Sequence, residues 1–123
     1  MAAGSARLIP ATYSNNLPAL LITGSPYIME NDDFEWDDAK AASNRRQHKI
    51  TFEQAREVFA DPFIIEWVEE GQDDHEQRFS ALGMVENHLL FVAYTMRGDT
   101  IRIISARQAE PFERRRYHEE NQT

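Results

Sequence analysis

Arg78, Arg97 and Arg102 are the residues whose type and spacing point most directly to chemistry. Side chains alternate along a strand, so residue parity assigns each one to a face of a sheet if no bulge intervenes. Gly98-Asp99 suits a two-residue hairpin turn, with glycine supplying the positive φ, and such a turn pairs Arg97 with Thr100 and Thr95 with Arg102. A preceding turn at Glu86-Asn87 or at Asn87-His88 sets Arg78 opposite Thr95 or opposite Arg97, and either choice leaves it on the same face. Arg78, Ser80, Thr95, Arg97 and Arg102 therefore share one side. Phe79, Ala81, Val85, Leu90, Val92, Tyr94, Met96, Ile101 and Ile103 share the other, which is the expected core face. Like charges this close repel by about 0.2–1 kcal/mol per pair, so the arrangement suits an anion held among the guanidiniums. The same arginines could instead pair with local acids, for which Glu76, Asp99 and Glu113 are candidates, and spacing leaves both readings open.

The other polar residues narrow the choice of chemistry. His48, His75, His88 and His118 form no His-x-x-x-His pair, so no zinc site is expected. His48 lies in Arg45-Arg46-Gln47-His48-Lys49, a local basic cluster that also suits a helix C-terminus. Arg114-Arg115-Arg116 could contact phosphate or form a solvated helix face. There is no cysteine, no glycine-rich phosphate loop and no GxSxG elbow, which removes thiol, nucleotide-hydrolysing and serine-hydrolase chemistry. The absence of cysteine fits a reducing, cytoplasmic setting.

The elements that must position these residues begin at Phe34. Residues 34–36 alternate as a short strand, and Asp37-Asp38 supply an N-cap and an acidic first turn for a helix running to His48. Thr51 and Gln54 have capping-box spacing for a second helix, whose apolar face is Phe52, Ala55, Val58 and Phe59 and which stops at Asp61-Pro62. Residues 63–69 read as a strand and 69–76 as an acidic turn. Strands at 77–85, 89–97 and 100–106 follow, and Pro111 opens a last helix.

The 123 residues suit one domain, and no apolar run reaches the roughly 18 residues of a membrane span. Residues 1–29 carry three prolines and a single charge and read as a loose extension. The apolar stretch 17–23 is short for a secretory signal and contains Pro18. Met29 is an alternative start. The expected organisation is a poorly ordered extension at 1–33, a folded domain at 34–119 and a flexible tail at 120–123. The net charge of −8 argues at face value against a generally basic nucleic-acid surface, but it is unevenly spread. Residues 30–77 hold 15 acids and 5 bases, whereas residues 78–118 hold 7 arginines and 4 acids. The acidic total therefore does not exclude a nucleic-acid-binding face drawn from the positive segment, with modest non-specific affinity.

The string FEWDDAKAASNRRQHKITFEQAREVF, followed by HEQRFSALGMVENHLLFVAYTMRGDTIRIISARQAEPFERRRYHEE, resembles the BrnT family of bacterial type II toxins. The FEWD start, Asn44-x-x-x-His48, Glu76-x-Arg78, Thr95-x-Arg97-Gly98 and the run Arg102-Ile103-Ile104-Ser105-Ala106-Arg107 carry the likeness. The resemblance implies an α+β fold of RelE type, a small antiparallel β-sheet with the N-terminal helices packed on one face and a C-terminal helix. It also implies cleavage of RNA, inhibition of growth, and a BrnA-type antitoxin that carries a DNA-binding domain. No cofactor and no metal are expected.

The implied reaction uses the substrate's own 2′-hydroxyl as nucleophile. It needs a base near that oxygen, an acid at the leaving 5′-oxygen and fixed positive charge around the phosphorane. On this reading Arg78 and Arg97 stabilise the transition state, His48 and Glu76 transfer protons, and Lys49, Arg102 and Arg107 hold substrate phosphate. One departure stands out: the family usually has Lys-His-Gly where this chain has Gln47-His48-Lys49. That departure opens the alternative of a catalytically weak member acting as an antitoxin-binding module in operon autoregulation.

Overall fold

The computed structural model describes residues 33–70 and 76–122. The expected extension at 1–33, apart from Asp33, and residues 71–75 of the expected acidic turn lie outside the described residues. The chain runs β1 (Phe34–Glu35), α1 (Asp38–His48), α2 (Phe52–Arg56), a 3₁₀ turn (Glu57–Ala60), β2 (Ile65–Val68), β3 (Arg78–Val85), β4 (His88–Arg97), β5 (Thr100–Gln108) and α3 (Pro111–Glu120). The fold is α+β, and its five strands form one sheet in the order β1-β5-β4-β3-β2. All neighbours are antiparallel except β1 and β5, which are parallel because the chain crosses from one edge to the other over the α1–α2 layer before β2 begins.

The turn at Glu86-Asn87 pairs Val85 with His88 and so sets Arg78 opposite Thr95, the first of the two registers compatible with the sequence. Gly98 has φ +62°, and its turn pairs Arg97 with Thr100. A bulge follows on β5: Tyr94 pairs with Ile103 and Ala93 with Ser105, so Ile104 has no opposite residue. The bulge reverses parity beyond residue 104, which returns Ala106 to the core face beside Val92 and puts Arg107 on the opposite face beside Phe91.

One face carries the main core. Phe52, Ala55 and Val58 of the helical layer are fully buried against Ala81, Val92, Tyr94 and Ile103 of the sheet. All nine residues assigned to this face by parity belong to that cluster or pack against it. Each large apolar side chain so buried contributes about 1.5–3 kcal/mol. Gly83 on β3 is where the 3₁₀ turn meets the sheet, and a Cβ there would stand 2.7 Å from Val58 Cγ1 and 2.8 Å from Val58 O.

The opposite face is divided. α3 covers only one end of it, where Tyr117 packs on Leu82 and Leu89 with Met84, Phe91 and Ala109 around them. The end nearer the Gly98 turn has no helix over it among the described residues.

Candidate functional site

On the uncovered end of this face the register aligns one row across the whole sheet. Arg78 pairs with Thr95, Thr95 with Arg102, and Arg102 with Glu35. At the other side Glu69 N donates to Arg78 O at 2.9 Å and extends the row beyond β2. The order is thus acid, arginine, threonine, arginine, acid. With strands about 4.8 Å apart, the backbones of Arg78 and Arg102 are about 10 Å apart, and Thr95 lies between them. Arg97 is two residues beyond Thr95 on β4 and faces the same way. Thr95 is 2% exposed and donates its hydroxyl to Gln77 O at 2.7 Å, so it forms the floor from which the three arginines rise. An anion the size of a phosphate suits that spacing.

The arginines already have carboxylate company. Arg97 Nε donates to Glu76 Oε2 at 2.7 Å, and both side chains are about half exposed. Arg102 Nη1 donates to Glu35 Oε2 at 2.9 Å, with both again partly exposed. Exposed pairs of this kind are worth about 0–1 kcal/mol, so a phosphate can take over the guanidinium at little cost. Of the acids named from sequence, Glu76 and Glu113 are used. Glu35 rather than Asp99 serves Arg102.

Arg107 stands apart from this cluster. It makes two parallel bonds to Glu113 of α3, at 2.8 and 2.9 Å, and its guanidinium lies 4.2 Å from the centroid of the Phe91 ring. Burial alone would raise the Glu113 carboxyl, but the Arg107 bonds and the Glu110 backbone N–H outweigh it and hold that carboxyl below its ordinary range. Arg116 lies 4.1 Å over the ring of Trp67, and Tyr117 donates its hydroxyl to Asp61 Oδ2 at 2.5 Å. These contacts anchor α3. Arg107 is therefore tied to holding the helix on the sheet.

Among the described residues, His48 and Lys49 make no hydrogen bond or ion pair with the row. Asn44, one helical turn before His48, is bonded to Ala106, four residues along β5 from Arg102, a distance on the order of 10 Å. His48 ends α1 and is exposed. Lys49 is the helix C-cap at φ 63° and ψ 26°, a left-handed conformation that favours glycine. That backbone requirement accounts for the glycine usual in the resembling family, and Lys49 meets it at a conformational cost.

Two features of the site were not anticipated from sequence. Glu35 and Glu69 close the ends of the row. Glu69 Oε2 accepts from Trp67 Nε1 at 2.9 Å and from Ser80 Oγ at 2.5 Å. Parity along β2 could have found Glu69, since it follows Ile65 and Trp67 on the same face.

A comparison with family models matches residues 36–113 to the ribonuclease toxin BrnT of type II toxin-antitoxin systems. The match covers well over half of the chain, and the protein belongs to that family. At family level this carries ribonuclease activity, an RNA substrate and an antitoxin partner. A search of curated proteins returns no significant match. No helix among the described residues is long and apolar enough to cross a membrane, and none of their His, Asp and Glu side chains gather in a group that could hold a metal ion.

Proposed function

We propose that this protein is an endoribonuclease that inhibits growth by cleaving RNA through attack of the 2′-hydroxyl on the adjacent phosphate, with guanidiniums in place of a metal ion. The observation that carries the reading is the row Arg78–Thr95–Arg102 with Arg97 beside it. As O2′ closes on phosphorus, the equatorial oxygens gain charge, and donors already aimed at them stabilise that state more than the ground state. Arg78 and Arg97 take this role, and Arg102 holds the phosphate.

Glu76, on Arg97, is the sequence-derived proton-transfer candidate nearest the row. His48 is the second proton-transfer candidate, Lys49 serves the RNA strand further along β5, and Arg107 contacts phosphate at the α3 end when Glu113 shares it. The partner we propose is a small basic antitoxin of BrnA type that also binds DNA, for which the acidic segment 30–77 is the suitable surface. The site works in the cytoplasm, on a domain spanning 34–119.

Purified protein on a defined RNA tests the reading. Cleavage in the presence of a chelator, leaving 2′,3′-cyclic phosphate and 5′-hydroxyl ends, supports it. Intact RNA, or 5′-phosphate ends, contradicts it. Gln47 motivates a second reading, the catalytically weak antitoxin-binding module. Expression of the protein alone separates the two: growth arrest with RNA loss favours the enzyme, and neither effect favours the module. Gln47→Lys gains activity only if the missing lysine limits the reaction.

A further inference from the structure

We propose that Glu69 is the general base that removes the 2′-hydroxyl proton, a role that rests on the ribonuclease reading above. Among the described residues, Glu35, Glu69 and Glu76 border the arginine face, and they are held in different ways. Glu35 and Glu76 each accept from a guanidinium. Glu69 is held by two neutral donors, the Trp67 indole N–H and the Ser80 hydroxyl, both of which bond to Oε2. Ser80 is 1% exposed, so this hydroxyl is a fixed part of the sheet floor. Among the described residues no hydrogen bond engages Oε1. The carboxylate is thus fixed in place on one oxygen with the other available to a substrate proton.

Position supports the same role. Glu69 is the cross-strand neighbour of Arg78, one strand spacing away in the row that ends at Glu35. A phosphate held between Arg78 and Arg102 brings the 2′-oxygen of the preceding ribose, which is bonded through the sugar to the same phosphate, towards one side of the row. Among the described residues, Arg78 on β3 is the cross-strand neighbour of Glu69, and Arg116 on α3 is stacked on the Trp67 ring whose N–H holds the carboxylate.

The step balances as follows. The 2′-hydroxyl proton passes to Glu69 Oε1 while the O2′–P bond forms. The P–O5′ bond breaks, the leaving 5′-oxygen takes its proton from water, and the hydroxide so formed takes the proton from Glu69, which restores the carboxylate. The products are a 2′,3′-cyclic phosphate and a 5′-hydroxyl.

Glu69→Gln keeps an acceptor for Trp67 and Ser80 but removes the basic oxygen. Glu69→Asp keeps a base on a shorter stem. Single-turnover cleavage of an RNA oligonucleotide, measured across pH with binding of a 2′-deoxy version as control, distinguishes the roles. The proposal expects Glu69→Gln to lose roughly 10²–10⁴-fold in rate and to lose the acid limb of the pH–rate profile, with RNA affinity nearly unchanged. It expects Glu69→Asp to be the faster of the two and to retain that limb. A merely structural role predicts the reverse order, because glutamine is the better isostere. Near-wild-type cleavage by Glu69→Gln with its acid limb intact, or a faster Gln than Asp variant, overturns the role of Glu69 alone. A wild-type protein that leaves every RNA intact overturns the ribonuclease reading and this role together.

Discussion

Asn44 and Ala106 are joined by two hydrogen bonds that do the work of an absent strand. Ala106 N donates to Asn44 Oδ1 at 3.1 Å, and Asn44 Nδ2 donates to Ala106 O at 2.8 Å. β1 pairs with β5 only at residues 101 and 102, so without Asn44 the outer edge of β5 at Ala106 would keep both groups unpaired. Asn44 Nδ2 also donates to Ile50 O at 3.0 Å, and the side chain is 6% exposed. α1 has almost no apolar face, and Asn44 is its one buried residue, so this amide is what docks the helix.

Replacing Asn44 therefore strands three buried backbone groups. We expect Asn44→Ala to lower the unfolding free energy by about 3 kcal/mol, and Asn44→Asp to be no better, because a carboxylate would face two carbonyl oxygens. Urea denaturation measures both. A loss below about 1 kcal/mol in each variant would contradict this account of α1.

Lys49 offers a change in the opposite direction. A non-glycine residue in the left-handed region is strained by about 1–2 kcal/mol, partly offset by the greater chain entropy that glycine loses on folding. Lys49→Gly is expected to stabilise the protein by about 1 kcal/mol, read as a higher urea midpoint at unchanged m-value.

Gly83 permits no side chain. The Val58 carbonyl oxygen that a Cβ would meet at 2.8 Å is backbone and cannot swing away, so Gly83→Ala forces β3 and the 3₁₀ turn apart. The expected cost is about 1–3 kcal/mol. A crystal structure of the variant should show the turn displaced from the sheet.

Acid and alkali act on the anchors of α3. Glu113 has a lowered pKa in the folded state, so its contribution is fully present above its unfolded value near 4.5 and is lost as pH falls through the lower folded value. The stability gap between wild type and Glu113→Gln should therefore narrow on acidification. Tyr117 behaves oppositely: burial, reinforced by the bond to Asp61, raises its pKa above the ordinary value of 10.0. Its contribution holds below that value and is lost as pH rises above it, and Tyr117→Phe should flatten the alkaline decline.

Much of this was legible in the chain because strands and turns are local. Parity along three hairpin strands, with Gly98 marking a turn, sufficed to put Arg78, Thr95, Arg97 and Arg102 on one face, since these residues all precede the bulge at Ile104. Arg107 lies past that bulge, and no residue type announces an unpaired isoleucine. The pairing of β1 with β5 and of Asn44 with Ala106 spans more than sixty residues, and no local pattern encodes such contacts. Parity along β2 puts Glu69 on the face of Ile65 and Trp67, but its place opposite Arg78 depends on the register of β2 against β3, which no local pattern encodes.

Arg78 and Arg97 are proposed to stabilise the cleavage transition state, and single-turnover RNA cleavage by the alanine variants reads that role. Arg78→Ala and Arg97→Ala should each cleave roughly 10²-fold or more slowly than wild type while folding and melting normally. Wild-type rates in both variants would contradict the account.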